Sequence, residues 1–343
     1  MIPVIGQKFT VSERSSLLPF LLSVFPNQSR TSVKAMLSRG RINVDGETVT
    51  AFDHPLVEGS VVTILPKAIP MTIGIKEEAD YALKKAGVEV IFEDEHIIIV
   101  DKPSGMLTVS APGKKAKGDT LYSLLNSYVK TSARAQRKID RLKGQRPDHS
   151  LVKIWIIHRL DRETSGLLVF AKDERTKDIM QSRWKDLVEE RMYTAFLEGE
   201  LPKEKGSIQS YLSENPKSLK MRSSEIETPD SKLAISHFRV VGVVTARGRV
   251  QWSKVEFRLQ TGRKNQIRVH AEDLGHPIAG DERYGAVTDP AGRLALHAST
   301  LIFKHPYTGK IMSFRSELPP EFNRLEQKTH GNGTDQDQHT GIR

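Results

Sequence analysis

Two apolar segments, Leu151–Ile157 and Gly166–Ala171, enclose a polar loop that reads His158-Arg159-Leu160-Asp161-Arg162-Glu163-Thr164-Ser165. Short apolar runs bounded by polar residues read as strands, and polar loops at strand ends are where a scaffold carries reactive groups. The rest of the chain must therefore supply a sheet for these strands. Further strands are predicted at Val90–Phe92, Ile97–Asp101, Met192–Leu197, Lys254–Leu259, Leu294–Phe303 and Ile311–Phe314, the last two as a hairpin through Pro306–Gly309. Helices are predicted at Thr120–Val129, Thr176–Val188 and Asn265–Leu274. Strands outnumber helices and do not alternate with them, so the expected class is α+β rather than a doubly wound sheet.

A second, smaller unit precedes this one. Ser12–Phe25 carries apolar residues on one side of a helix, and Ser29–Arg39 reads as another helix, with Ser29 as its cap. Arg41–Val44 and Glu47–Thr50 flank an Asp45-Gly46 pair, a strong hairpin signal, and Val61–Leu65 adds a strand. The expected organisation is a small domain over 12–66, a linker over 67–87 that is helical over Lys76–Gly87, a large domain over 88–325, and a polar, disordered tail over 326–343.

Composition narrows the chemistry. The chain has no Cys, which excludes disulfides, thiolate metal sites and a Cys nucleophile. Its apolar stretch Leu17–Phe25 contains Pro19 and is too short to span a bilayer. With Glu13 before it and no small-residue cleavage site after it, it does not read as a signal peptide, and a cytoplasmic location is expected. The net charge of +10 favours a polyanionic partner. From Lys114 to Ser150 there are ten Lys/Arg and three Asp, so much of that excess sits in one segment. Such a run is either a solvated face or a contact to nucleic-acid backbone.

Asp161 lies in the loop between Arg159 and Arg162, which should lower its pKa and keep it ionised. An ionised, positioned carboxylate can attack an electron-poor carbon. Residues of this kind also form Asx and Ser/Thr turns, with Asp161 and Thr164 bonding nearby backbone. Spacing alone leaves both readings open.

The segment HRLDRETSGLLVFAK resembles the catalytic motif of RluA-type pseudouridine synthases, in which an HRLDxxTSG loop carries an aspartate. Upstream, IFEDEHIIIVDKPSGMLT (Ile91–Thr108) is similar to that family's opening block. Downstream, ERMYTA (Glu190–Ala195) resembles the block with an essential tyrosine, and TGRKNQIRVHAEDLGHPIAGDERYG (Thr261–Gly285) the block containing TGRxHQIRxH. LALHASTLIFKHPYTG (Leu294–Gly309) resembles the last strand pair. The blocks occur in the family's order. Residues 12–65 resemble the alpha-L RNA-binding module, with Arg30, Lys34, Arg39 and Arg41 as its candidate RNA contacts.

The resemblance implies a large mixed or antiparallel-sheet catalytic domain of pseudouridine synthase type. It implies isomerisation of uridine to pseudouridine within RNA, with no metal and no organic cofactor. Asp161 would be the nucleophile at ribose carbon 1, or the stabiliser of that carbon as the base departs. Tyr193 would lie beside the flipped uracil, and Arg268 would pair with Asp161. Arg159 would enter the stack where the uridine had been, while Ile267 and Leu296 would line the uracil pocket. One position departs from the pattern: Asn265 stands where the family usually has His, and Asn cannot carry charge.

The expected partner is RNA. Ribosomal RNA of the large subunit is favoured and transfer RNA is the alternative; no membrane association is expected, and the chain is expected to be a monomer. Two other classes compete: a catalytically silent RNA-binding or ribosome-assembly factor, and a glycosidase of free nucleosides or sugars. The former has no need of Asp161, Tyr193 and Arg268 together. The latter normally uses a carboxylate pair, and the nearest acid, Glu163, is only two residues away.

Overall fold

The computed structural model describes residues 8–26, 28–38, 41–64, 80–110, 113, 118–142, 146, 152–246 and 248–327. The expected linker and tail fall largely outside these, as does Arg39. The chain forms two compact units, Met1–Ala82 with Ser127–Leu151, and Leu83–Asn126 with Val152–Arg343.

In the first unit the elements are β1 (Lys8–Thr10), β2 (Ser15–Ser16), α1 (Leu17–Val24), α2 (Arg30–Ser38), β3 (Ile42–Val44), β4 (Glu47–Thr48), β5 (Pro55–Leu56) and β6 (Val61–Ile64). The first helix is shorter than its apolar pattern suggests, because Ser15–Ser16 pair with Pro55–Leu56. Pro19 falls in the first turn, where its missing N–H leaves no helical bond unmade. Ser29 caps α2 as expected, its hydroxyl accepting from the Ser32 N–H at 3.1 Å. The Asp45-Gly46 turn takes the positive φ angles, 50° and 98°, of a tight hairpin. Leu17, Leu21, Phe25, Val33, Leu37, Ile42 and Val62 form its core.

The second unit is a mixed α+β domain built on an eleven-stranded sheet. In chain order its elements begin with β7 (Glu89–Glu93), β8 (Ile97–Lys102), the start of α3 (Leu121–Leu142, which belongs to the first unit from Ser127 on), β9 (Trp155–Ile156) and β10 (Ser165–Ala171). Next come α4 (Glu174–Ser182), α5 (Trp184–Leu187), β11 (Val188–Glu198), β12 (Lys205–Glu214), β13 (Met221–Ser224), β14 (Lys232–Ala246) and β15 (Arg249–Leu259). The last are α6 (Gln266–Asp273), a 3-10 turn (Glu282–Tyr284), β16 (Leu296–Lys304), β17 (Ile311–Arg315) and α7 (Pro320–Gln327). The strand order is β13-β12-β14-β15-β11-β16-β10-β8-β7, with β17 beside β16 and β9 beside β10.

Several expectations are corrected. Among the described residues of Leu151–Ile157, only the two-residue β9 is strand, paired with Phe170 and Ala171. The helix expected over Thr176–Val188 breaks at Arg183, giving α4 and α5. The helix expected over Thr120–Val129 runs on to Leu142, so more than half of the basic segment is helical. Strands β12 to β14 carry little sequence signal although burial alternates along them, because small or polar residues such as Ser210, Ala234 and Ser236 take buried positions while Leu233 and Ile235 are only half-buried.

Strand β10 holds the polar loop in place. All seven of its residues are buried, and it runs antiparallel to β8 but parallel to β16. The parallel register sets Gly166 opposite Ala298. Gly166 has φ +114°, and a Cβ there would lie 2.3 Å from the Ala298 carbonyl oxygen. Only glycine satisfies both the left-handed backbone and the close approach.

Candidate active site

The loop before β10 is fastened from outside by the Lys102–Thr108 turn. Lys102 is fully buried. Its ammonium donates to the carbonyls of Pro103, Met106 and Arg162 at 2.9, 2.9 and 3.1 Å. The Gly105 N–H also donates to the Arg162 carbonyl, at 2.9 Å. The Ser104 hydroxyl donates to the Glu163 carbonyl at 2.6 Å, and the Thr108 hydroxyl to the Leu160 carbonyl at 2.9 Å. The carbonyls of Leu160, Arg162 and Glu163 are thus tied to the turn, which fixes the backbone on both sides of Asp161. Burial, with Arg293 nearby, pushes the Lys102 pKa down to about 7, against the pull of Asp161, Glu163 and Asp101.

Asp161 emerges from this loop into a cavity of about 1000 Å³. Tyr193, Arg159, Ile267 and Leu296 line the same cavity, as do Arg191 and Asn265. Tyr193 is on β11, just after a register shift between Met192 and Tyr193 against β16; such irregularities re-aim side chains beside sites. Burial raises its pKa, so the phenol is neutral at neutral pH. Arg159 is exposed at the cavity, whereas Ile267 and Leu296 are buried. His158 packs against Trp184, with ring centroids 5.1 Å apart, and burial followed by Arg191 lowers its pKa to about 3. It is a neutral wall of the site.

Two expectations about Asp161 are corrected. Its pKa is raised rather than lowered, since burial outweighs the opposing pull of Arg268, Arg159 and Lys102, while Glu163 adds to the rise. Nor does Arg268 hold it by a direct ion pair. The Arg268 guanidinium is engaged bidentately by Asp281, with Nε and Nη2 at 2.7 and 2.6 Å from its carboxylate oxygens. Arg268 acts on Asp161 through space, and its remaining nitrogen lies 4.0 Å from Glu163.

The group that touches Asp161 directly is Asn265. Of its two amide orientations, one sets the nitrogen 3.0 and 2.7 Å from the two Asp161 oxygens and the oxygen 3.0 Å from the Tyr284 hydroxyl. The other would face the amide oxygen toward a carboxylate, so the first is assigned. Among the described residues no group of three or more His, Cys, Asp or Glu side chains is placed to hold a metal ion.

Residues 96–273 match the sequence profile of the family described as RNA pseudouridylate synthase. The chain belongs to that family. As an RNA pseudouridine synthase it resembles the uncharacterized RNA pseudouridine synthase YlyB of Bacillus subtilis, at 31% identity over 92% of this chain and 94% of the relative. It is 28% identical to the ribosomal large subunit pseudouridine synthase D of Vibrio vulnificus, over 90% of this chain and 88% of that one. Its fold is similar to that of human RNA pseudouridylate synthase domain containing 4, with a TM-score of 0.52 at 20% identity, covering 75% of this chain and 97% of that one.

In this pseudouridine synthase, Asp161, Tyr193, Arg159, Ile267 and Leu296 all line one cavity. The sequence does not reveal the structural work of Lys102, Asp281 and Tyr284, although all three lie inside the family blocks. Of the residues expected to contact RNA from the N-terminal segment, Arg30 and Lys34 are exposed and Arg41 is half-buried. Lys34 sits 4.9 Å from the centre of the Phe52 ring.

Proposed function

We propose that this chain converts uridine to pseudouridine in large-subunit ribosomal RNA, with Asp161 acting at ribose carbon 1 of an extruded nucleotide. The observation that carries this reading is the convergence of Asp161, Tyr193, Arg159 and Leu296 on one cavity in a chain of this family. The bond between N1 and carbon 1 of the ribose breaks, uracil turns within the cavity, and carbon 5 forms the new bond. The proton on carbon 5 is lost as N1 gains one, so the reaction is an isomerisation. Ile267 and Leu296 give the turning base an apolar wall. Tyr193, neutral and buried beside Asp161, assists proton transfer at the sugar. Arg159, exposed on the loop, fills the stack that the uridine leaves, offsetting an unstacking cost of a few kcal/mol.

The ribosomal target rests on relatives named for the large subunit in Vibrio vulnificus and Nitrosomonas europaea. Residues 12–66 act as the RNA-gripping module of a cytoplasmic monomer, with Arg30, Lys34 and Arg41 on phosphate. Mapping pseudouridine in total RNA from cells with and without this chain tests the target. Loss of a site in large-subunit RNA is expected, and loss confined to transfer RNA would move the substrate there. Deleting 1–66 should flatten the salt dependence of RNA binding, by roughly 0.7 log–log units for each phosphate of a single strand that is no longer neutralised.

A further inference from the structure

Asn265 replaces the histidine of the family pattern, and the chemistry proposed for the cavity gives it no part. Its backbone is left-handed, φ 54° and ψ 22°, at the cap position of α6. A side chain there ordinarily accepts from the first N–H groups of its helix. The Asn265 side chain makes no such bond. Its amide turns instead to Asp161, with the nitrogen 3.0 and 2.7 Å from the two carboxylate oxygens. The amide oxygen accepts from the Tyr284 hydroxyl at 3.0 Å, and that hydroxyl accepts in turn from the Met221 N–H at 3.1 Å. With the amide nitrogen turned to the carboxylate, the phenolic proton goes to the Asn265 oxygen, and both ends of the amide are satisfied. Tyr284 is 1% exposed and Asn265 8% exposed, so water does not compete freely for these bonds.

The neighbouring cation is occupied elsewhere. Arg268, one turn into α6, is held by Asp281 and lies over the Tyr284 ring at 4.9 Å. The charged or titratable groups that act on Asp161 are Arg268 from α6, Glu163 and Arg159 from its own loop, Lys102 from the end of β8, and Tyr193 from β11. None of these makes a hydrogen bond to its carboxylate among the described residues. The aim of the carboxylate is left to Asn265.

We propose that Asn265 is the positioning residue for Asp161, a neutral amide clamp, locked by Tyr284, that orients the carboxylate without changing charge across the pH range in which a histidine would titrate. This rests on Asp161 being the reacting group. Asparagine suits the position twice over, since among side chains other than glycine's it tolerates the left-handed backbone best, and its amide donates at any pH.

Three variants of the full chain test the clamp. Asn265→Gly deletes the amide without straining the left-handed backbone. Asn265→Asp keeps the shape but presents an acceptor to Asp161. Asn265→His restores the family residue. Single-turnover rates at saturating RNA would be measured from pH 6 to 9, alongside RNA affinity. The Asp161 carboxyl would be titrated by carbon-13 NMR in free protein, its signal identified by Asp161→Asn.

Asn265→Gly should bind RNA normally yet react on the order of 10²-fold slower, the scale of loss from a misaimed group. Its Asp161 titration should move upward, because the bonds favouring the ionised form are gone. Asn265→Asp should be slower still at pH 8, and its rate relative to wild type should rise as the pH falls and a proton returns a donor to position 265. Asn265→His should recover part of the loss and add a pH dependence near the imidazole range of about 6.5. A wild-type saturating rate in Asn265→Gly, or an Asp161 titration that does not move, would overturn the clamp. If wild type itself released no tritium from RNA labelled at carbon 5 of uridine, the proposed function would fail instead, and the carboxyl titration would still decide the clamp.

Discussion

Arg268 and Asp281 form a buried, bidentate ion pair, 2.6 and 2.7 Å between donors and acceptors, whose cation acts through space on the carboxylate of Asp161. The Asp281 side chain is fully buried, and that of Arg268 is 10% exposed. Breaking one half strands the other charge, which costs about 3–5 kcal/mol. Arg268→Ala and Asp281→Asn should therefore both melt well below wild type. Arg268→Ala should also slow the single-turnover rate at saturating RNA, because Arg268 is the foremost charge lowering the pKa of Asp161. Unchanged melting in both variants would show that the pair is not formed in solution.

Asp161→Asn should abolish tritium release from RNA labelled at carbon 5 of uridine while leaving RNA binding nearly intact. It should also stabilise the protein at neutral pH. The folded state raises the pKa of Asp161, so it binds the proton more tightly than the unfolded chain does, and the ionised carboxylate opposes folding once the pH exceeds the folded pKa. Removing that charge removes the penalty. A variant that melts below wild type at pH 7.5 would contradict this sign.

Lys102→Met keeps length and apolar stem but removes three donated hydrogen bonds. The Pro103 and Met106 carbonyls lose their donor, while the Arg162 carbonyl keeps the Gly105 N–H; at the low end of about 1–3 kcal/mol for each part-buried acceptor, a loss of roughly 2 kcal/mol is expected in denaturant unfolding. The rate should fall as well, since Arg162, next to Asp161, is then tied to the turn only by the Gly105 N–H. Wild-type stability would show that the loop is held without the lysine.

Gly166→Ala should be among the most damaging single substitutions in the chain. Its methyl would sit 2.3 Å from a backbone oxygen at a φ that disfavours any side chain. The parallel register of β10 and β16 would have to open, and soluble yield should collapse. A soluble variant with a normal near-UV circular dichroism spectrum would refute the steric argument.

Acid should destabilise the folded chain through its buried histidines. Burial lowers the pKa of His270, bonded to Ser210 and Ser236, to about 4. Burial and then Arg293 lower that of His297 to about 4. An unfolded histidine titrates near 6.5. Between that value and about 4 the unfolded chain binds the extra protons, so stability falls as the pH falls. Melting temperatures from pH 7.5 to 4.5 should show this, and His270→Gln should flatten the slope. A slope unchanged by the substitution would assign the effect to other groups.

Much of this protein is determined locally. The Asp45-Gly46 hairpin, the Ser29 cap and the apolar runs that become β8 and β10 depend on neighbours in the chain, so the sequence alone predicts them. The order of the blocks carries the family, and Asp161, Tyr193 and Leu296 are legible because each sits in one of those blocks. Other features depend on residues far apart in sequence. The pKa of Asp161 looks low from its flanking arginines and is raised by a burial that only the folded cavity imposes. Arg268 looks like the partner of Asp161 until the chain brings Asp281 to its fork, thirteen residues on. Asn265 looks like a missing charge until its left-handed backbone turns the amide from its helix to a carboxylate more than a hundred positions earlier. Backbone propensity and apolar pattern are short-range and can be read from one stretch of chain. Desolvation and the choice among competing hydrogen-bond partners depend on what packs around a group, and only the tertiary structure decides that.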